Sequence, residues 1–106
     1  MTLFETLQDK LIGGPRVRVR LVIKGRIGET WLDLDRLLRL PEGTTLKQLI
    51  AEADRQSIPL REALEQSPHL RHTLMLNGER TPLEGNLDRV LVNGDELLLL
   101  APFAGG

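Results

Sequence analysis

The last two residues of the chain are the part of the sequence best suited to chemistry. Gly105 and Gly106 have no Cβ, so they can pass through a narrow opening and leave the terminal carbonyl carbon open to attack. The α-carboxylate of Gly106 is an anion at neutral pH and is therefore a poor electrophile. We expect an ATP-using partner to activate it as an acyl-adenylate before a nucleophile such as sulfur or an amine can react.

The residues before the glycines have the properties of a docking segment. Residues 101–106 follow the last strand that the sequence predicts, and when extended they reach about 20 Å. Pro102 restricts the backbone and Phe103 offers one apolar anchor, and both would lower the entropy lost on docking. The sequence therefore predicts that Gly106 works inside the active site of another protein.

Side chains elsewhere give no comparable indication of an active site. His69 and His72 have no evident third ligand near them in the sequence, so we expect no metal site. Asp33 and Asp35 are expected on a solvated strand face, where no burial would separate their pKa values for acid–base work. The chain has no cysteine, no glycine-rich phosphate loop and no nucleophile elbow. We therefore expect a protein that is not an enzyme and has no bound cofactor.

The charge balance disfavours nucleic acid and membranes as partners. Lys and Arg number 14 and Asp and Glu 15, which gives a formal net charge of −1 and no global attraction to polyanions. A row of cations in the first predicted strand could be a nucleic-acid patch, but nearby acids neutralise it and no aromatic platform accompanies it. No apolar run approaches the roughly 20 residues that span a bilayer. The missing cysteines and the absence of a signal peptide favour the cytoplasm.

Hydrophobic spacing predicts the first half of the fold. Residues 2–12 have the spacing of a short amphipathic helix, within an N-terminal extension over residues 1–15. Residues 16–24 and 30–35 alternate with period two and predict a hairpin, with its turn marked by Gly25 and Gly28. The main helix is expected to start at a T-x-x-Q capping box at Thr45 and to end near Gln56. A second, shorter helix is expected from Pro59 until Ser67-Pro68 closes it.

Turn residues divide the second half of the chain. Asn77-Gly78 predicts a two-residue hairpin turn between a strand over residues 72–76 and a short return strand. The next stretch is irregular, with three expected inward anchors: Leu83, Leu87 and Val90. A final strand follows Asn93-Gly94-Asp95, and the run of leucines over residues 97–100 is typical of a strand covered on both faces. Residues 16–100 therefore predict an α+β domain, a mixed sheet packed on one main helix.

Leu98 and Leu100 are expected to belong to a partner-binding surface near the root of the tail. Four successive leucines need cover on both sides of the sheet, whereas one helix layer covers only one side. A protein that receives the tail would supply the missing cover.

Three stretches of the sequence resemble the MoaD/ThiS family of ubiquitin-like sulfur carriers. They read L-P-E-G-T-T-L-K-Q-L-I from Leu40, L-M-L-N-G-E-R-T-P from Leu74, and V-N-G-D-E-L-L-L-L-A-P-F-A-G-G to the end of the chain. The likeness covers about residues 16–106. The A-P-F-A-G-G ending is more similar to the molybdopterin synthase small subunit than to the thiamine carrier, although Ala101 stands where that branch often has a proline.

The resemblance implies a ubiquitin-like β-grasp fold and a sulfur-carrier function. An E1-like adenylyltransferase would use ATP to adenylate Gly106, which would be loaded as a thiocarboxylate. It would then donate sulfur to a sulfur-accepting synthase subunit in cofactor biosynthesis, with molybdopterin as the expected product. Gly105 and Gly106 would carry the transfer, and Pro102, Phe103 and Ala104 would line the tail. Two alternatives stay open: a ubiquitin-like modifier joined through Gly106 to lysines, and a non-covalent β-grasp interaction domain.

Overall fold

The computed structural model describes residues 15–101 of the 106-residue chain. The predicted helix over residues 2–12 and the tail residues Pro102–Gly106 lie outside the described residues. The elements follow in the order β1 (Arg16–Ile27), β2 (Thr30–Pro41), α1 (Leu46–Arg55), α2 (Leu60–Gln66), α3 (Pro68–Thr73), β3 (Met75–Leu76), β4 (Glu79–Arg80) and β5 (Glu96–Leu100).

The strands form one mixed five-stranded sheet in the order β2-β1-β5-β3-β4. The two outer pairs, β1–β2 and β3–β4, are antiparallel hairpins, and β3 also pairs antiparallel with β5. Only β5 and β1 run parallel, and the helices lie in the crossover between them, as a parallel connection requires. This order brings the last described residues of the chain beside the middle of the first strand.

The β1–β2 hairpin is long, and the pattern of alternation predicts its faces. Every second residue of β1, from Val17 to Ile23, is buried against the helices, while the cations between them are exposed. Of the two glycines predicted to mark the turn of the hairpin, only Gly28 lies in it, and Gly25 lies within β1. β1 continues through Gly25 to Ile27 and pairs with β2 along its whole length, because Ile27 is still buried.

Helix α1 begins as the sequence predicts, at a capping box. The Gln48 backbone N–H donates to the Thr45 hydroxyl at 3.3 Å, and the Gln48 side-chain oxygen accepts from the Thr45 backbone N–H at 2.9 Å. The apolar stripe of the helix is buried on the sheet: Leu46, Leu49, Ile50 and Ala53. The capping box thus gives hydrogen-bond partners to two backbone N–H groups that would otherwise have none at the start of the helix.

We expect Thr45→Ala to lower the free energy of unfolding by about 1 kcal/mol, because the first turn of α1 loses its side-chain acceptor. Urea unfolding of the purified protein measures the change. Thr45→Ser keeps the hydroxyl and is expected to stay close to the parent chain. Equal losses in the two variants would contradict a capping role.

Two expectations for the second half of the chain are wrong. Ser67-Pro68 closes α2 as expected, but the strand predicted over residues 72–76 is only Met75–Leu76. Pro68 also opens α3, because its fixed φ and missing N–H suit a first helical position, and residues 72 and 73 are therefore helical. Of the three predicted anchors only Leu83 packs against the core, whereas Leu87 and Val90 are exposed and the neighbouring Leu91 is buried. Backbone bonds from Leu46 to Arg89 and from Leu91 to Thr44 fix that segment against the start of α1.

Candidate functional site

The root of the tail is fixed to the sheet at Ala101. Its backbone N–H donates to the carbonyl oxygen of Lys24 at 2.7 Å, which extends the β1–β5 pairing by one residue beyond Leu100. Only 5% of Ala101 is exposed. The predicted functional residues Pro102, Phe103, Ala104, Gly105 and Gly106 lie outside the described residues, but they follow from this fixed point.

Gly25 makes the close packing of Ala101 on β1 possible. A Cβ on Gly25 would lie 2.4 Å from the Ala101 carbonyl oxygen, a distance that no side chain tolerates. Its φ of +120° also disfavours any residue with a side chain. Sequence reasoning placed Gly25 in a turn, although a single glycine within a strand pattern also indicates the close approach of another backbone.

A hydrogen-bond network fixes the other end of β5. The Asn77 side chain donates to the Asp95 carboxylate at 2.8 Å and accepts from the backbone N–H of Glu96 at 2.9 Å. The other Asp95 carboxylate oxygen accepts from the Val92 backbone N–H at 2.8 Å. The N-G and G-D-E turns of the sequence are therefore bonded to each other, and β5 is fixed at both ends before the tail leaves it.

The face of the sheet opposite the helices carries an apolar patch, which consists of Val22, Met75, Leu98 and Leu100. The strand register puts Met75, Leu98 and Val22, which is buried, in one row across the sheet, with Leu100 in the adjoining row. Leu97 and Leu99 face the helices and are buried, whereas Leu98 is half-buried and Leu100 is 48% exposed. As expected, the helices cover the leucine run on one face of the sheet only.

The two leucines assigned to a partner surface, Leu98 and Leu100, lie together in the apolar patch at the root of the tail. Their role in binding a partner stays a prediction.

Ion pairs border the apolar patch. Arg20 bonds through two nitrogens to both carboxylate oxygens of Asp35 on the neighbouring strand and also contacts Glu96 at 3.1 Å. The Arg20 hydrogen bonds hold the pKa of Asp35 below its usual range, and Asp35 in turn raises the pKa of Arg20. Lys24 approaches Asp33 at 3.9 Å. The expectation that nearby acids neutralise the row of cations in β1 is thus confirmed for Arg20 and Lys24.

Neither a metal cluster nor a membrane-spanning helix is found between residues 15 and 101. His69 and His72 both lie in α3, and no group of three or more His, Asp or Glu side chains in this part of the chain converges as metal ligands would. None of the described helices has the length and apolarity to cross a bilayer.

The sequence model of one protein family, described as the ThiS family, matches residues 29–106. This match takes in α1, β5 and the terminal glycines. No curated protein matches the chain at a significant level.

Two solved structures are similar to the chain. The HVO 2177 protein of Haloferax volcanii aligns with a TM-score of 0.57 and 15% identity, covering 86% of this chain and 88% of that one. Urm1 from Trypanosoma brucei aligns with a TM-score of 0.48 and 20% identity, covering 86% of this chain and 97% of that one. The sheet order and the first of these likenesses confirm the predicted β-grasp fold.

Proposed function

The chain belongs to the ThiS family, and from that membership we propose that it is a sulfur carrier whose working group is the carboxylate of Gly106. The observation that carries the proposal is a family match that runs through the last strand to the terminal Gly-Gly. Ala101, from which those residues follow, is hydrogen-bonded to β1 and buried. A fixed root with a short segment after it suits a group that must be presented to other proteins.

Activation would precede sulfur loading. An E1-like adenylyltransferase would let the Gly106 carboxylate attack the α-phosphorus of ATP, which releases pyrophosphate and forms the acyl-adenylate. A sulfur nucleophile would then attack the carbonyl carbon and release AMP, which leads to the thiocarboxylate. ATP is consumed by the activating enzyme, and the carrier itself supplies only the acyl group and a docking surface.

Delivery of the sulfur would require a second partner, a sulfur-accepting synthase subunit in the cytoplasm. We favour molybdopterin synthesis as the destination, because the ending A-P-F-A-G-G is more similar to the small subunit of that synthase than to the thiamine carrier. In this scheme Pro102, Phe103 and Ala104 line the path of the tail, and Gly105 and Gly106 enter the acceptor's active site.

Intact-mass measurement of the full chain tests the proposal. After co-expression with the host's activating enzyme and a sulfur source, the protein should gain the mass difference between sulfur and oxygen. A Gly-Gly remnant on the lysines of other proteins, with no sulfur gain, would instead identify a ubiquitin-like modifier. An unchanged mass with no conjugates would contradict both and leave a non-covalent interaction domain.

We expect Leu100→Arg to raise the half-saturating concentration of the carrier for activation by about tenfold, because an exposed apolar contact beside the tail becomes a charge. Pyrophosphate exchange into ATP, driven by the carrier and its activating enzyme, measures the change. Val90→Arg is the matched control, since Val90 is 52% exposed but bridges to Thr45 at the start of α1, away from the apolar patch. Equal effects of the two variants would count against the apolar patch.

A further inference from the structure

The β1–β2 hairpin continues past the point where the tail leaves the sheet. β5 pairs with β1 only from Arg20 to Lys24, whereas β1 runs on to Ile27 and turns at residues 28 and 29 into β2. Three further residues of strand carry the hairpin about 10 Å beyond the last β5 pair. We call this segment, residues 25–32, the overhang. Because β5 is parallel to β1, the overhang extends in the direction in which β5 ends.

Helix α2 supports the overhang from the helix side of the sheet. Ile27 is only 4% exposed, and the Gln66 side chain closes on Gly28 so tightly that a Cβ there would lie 2.8 Å from its oxygen. The shallow space between hairpin and helix is lined by Ile27, Thr30, Leu32, Pro59, Glu62, Ala63 and Gln66. Contacts with α2 therefore hold the overhang in a defined position, so less conformational entropy would be lost when it docks.

A tail that follows the line of β5 would bring any protein that handles Gly106 close to the overhang. Five residues follow Ala101, and their full extension is about 17 Å. The tip of the hairpin stands about 10 Å along the direction that β5 takes, so little more than the last two residues could reach past it on that line. On that line, a partner with Gly106 in its active site would contact the overhang or form a recess around it.

The outward face of the overhang is suited to such a contact. Trp31, the chain's only tryptophan, is 56% exposed and lies opposite Arg26 in the strand register. Tryptophan and arginine are the side chains most enriched among interface residues that dominate affinity. The charges around them largely cancel, since Lys24 approaches Asp33 on the same face, so the main attraction available is apolar.

We propose that the overhang is a second docking element, in which Trp31 occupies an apolar cleft of the ATP-using activating enzyme beside the opening that takes the tail. This inference rests on the adenylation step of the proposed function. We assign the activating enzyme as the partner because sulfur transfer and protein conjugation both begin with adenylation of the carrier.

Trp31→Ala in the full chain tests the assignment through pyrophosphate exchange. The half-saturating concentration of the carrier is expected to rise at least tenfold with little change in the maximal rate, since the tail and its carboxylate are intact. Trp31→Phe should recover most of the loss, and Val90→Ala, a truncation of comparable exposure elsewhere, should have no effect. An unchanged half-saturating concentration in Trp31→Ala would overturn the inference, as would a defect confined to later sulfur delivery.

A fluorine label separates this inference from the proposed function. A single 5-fluorotryptophan at position 31 gives one ¹⁹F resonance, which should shift or broaden when the activating enzyme is added. The same response is expected from a labelled chain without Gly105 and Gly106, although its activation should be at least about 100-fold weaker. Failure of the parent chain to be activated at all would overturn both proposals, whereas activation with an unmoved resonance would overturn only this one.

Discussion

Removal of Gly105 and Gly106 should abolish the sulfur-dependent mass gain and lower carrier-dependent pyrophosphate exchange at least about 100-fold. The shortened chain ends at Ala104, about 7 Å short of the original carboxylate when the tail is extended. Misplacing a reacting group by as little as 1 Å can cost about 100-fold in rate. Intact-mass spectrometry and the exchange assay, on equal amounts of folded protein, measure the two effects.

The matched variant is Gly106→Ala, which keeps the length of the tail and adds one methyl group beside the reacting carbonyl. We expect it to be activated more slowly than the parent but faster than the truncated chain, because the carboxylate remains within reach. All core residues from Val17 to Ala101 are unchanged in both variants, so their unfolding midpoints should match the parent. A truncated chain that performs its cellular task normally would rule out any role for the terminal carboxylate.

Gly25→Ala is expected to cost about 2–4 kcal/mol of unfolding free energy and to impair activation of the protein that remains folded. The new Cβ overlaps the Ala101 carbonyl oxygen, and the positive φ adds backbone strain. Relief of the overlap requires Ala101 to move away from β1, which weakens its bond to Lys24 and redirects the root of the tail. Urea unfolding measures the first effect and pyrophosphate exchange the second.

Gly43→Ala separates the overlap from backbone strain. Gly43 has a φ of +90°, but a Cβ there would have no neighbour within 4 Å, so its substitution should cost only the strain. We therefore expect Gly43→Ala to be the more stable variant and to be activated like the parent. If the two variants were equally stable and equally active, Gly25 would have no special role at the root of the tail.

Local signals in the sequence were enough for the buried face of β1, the hairpin turn at Asn77 and the start of α1. Alternation in β1 gives the buried face because successive side chains in a strand point to opposite sides. The capping box at Thr45 and the hairpin turn at Asn77 follow from groups that lie within three residues of each other. The family resemblance relied on motifs of the same local kind, and the family match confirms it at the level of the ThiS family.

The tertiary structure alone decided how the tail is rooted. Gly25 and Ala101 are far apart in the chain, and no local pattern shows which backbone approaches Gly25. The partnership of Asn77 with Asp95 and the exposure of Leu100 likewise depend on which strands become neighbours. The overhang exists because β1 extends beyond the end of β5, and these two strands become neighbours only after the crossover connection. The sequence by itself determined the proposed reactive group, Gly106, and most of the strands and helices before it, because those depend on residue type and short-range geometry. Their spatial relation was decided by long-range pairing, which no window of the sequence contains.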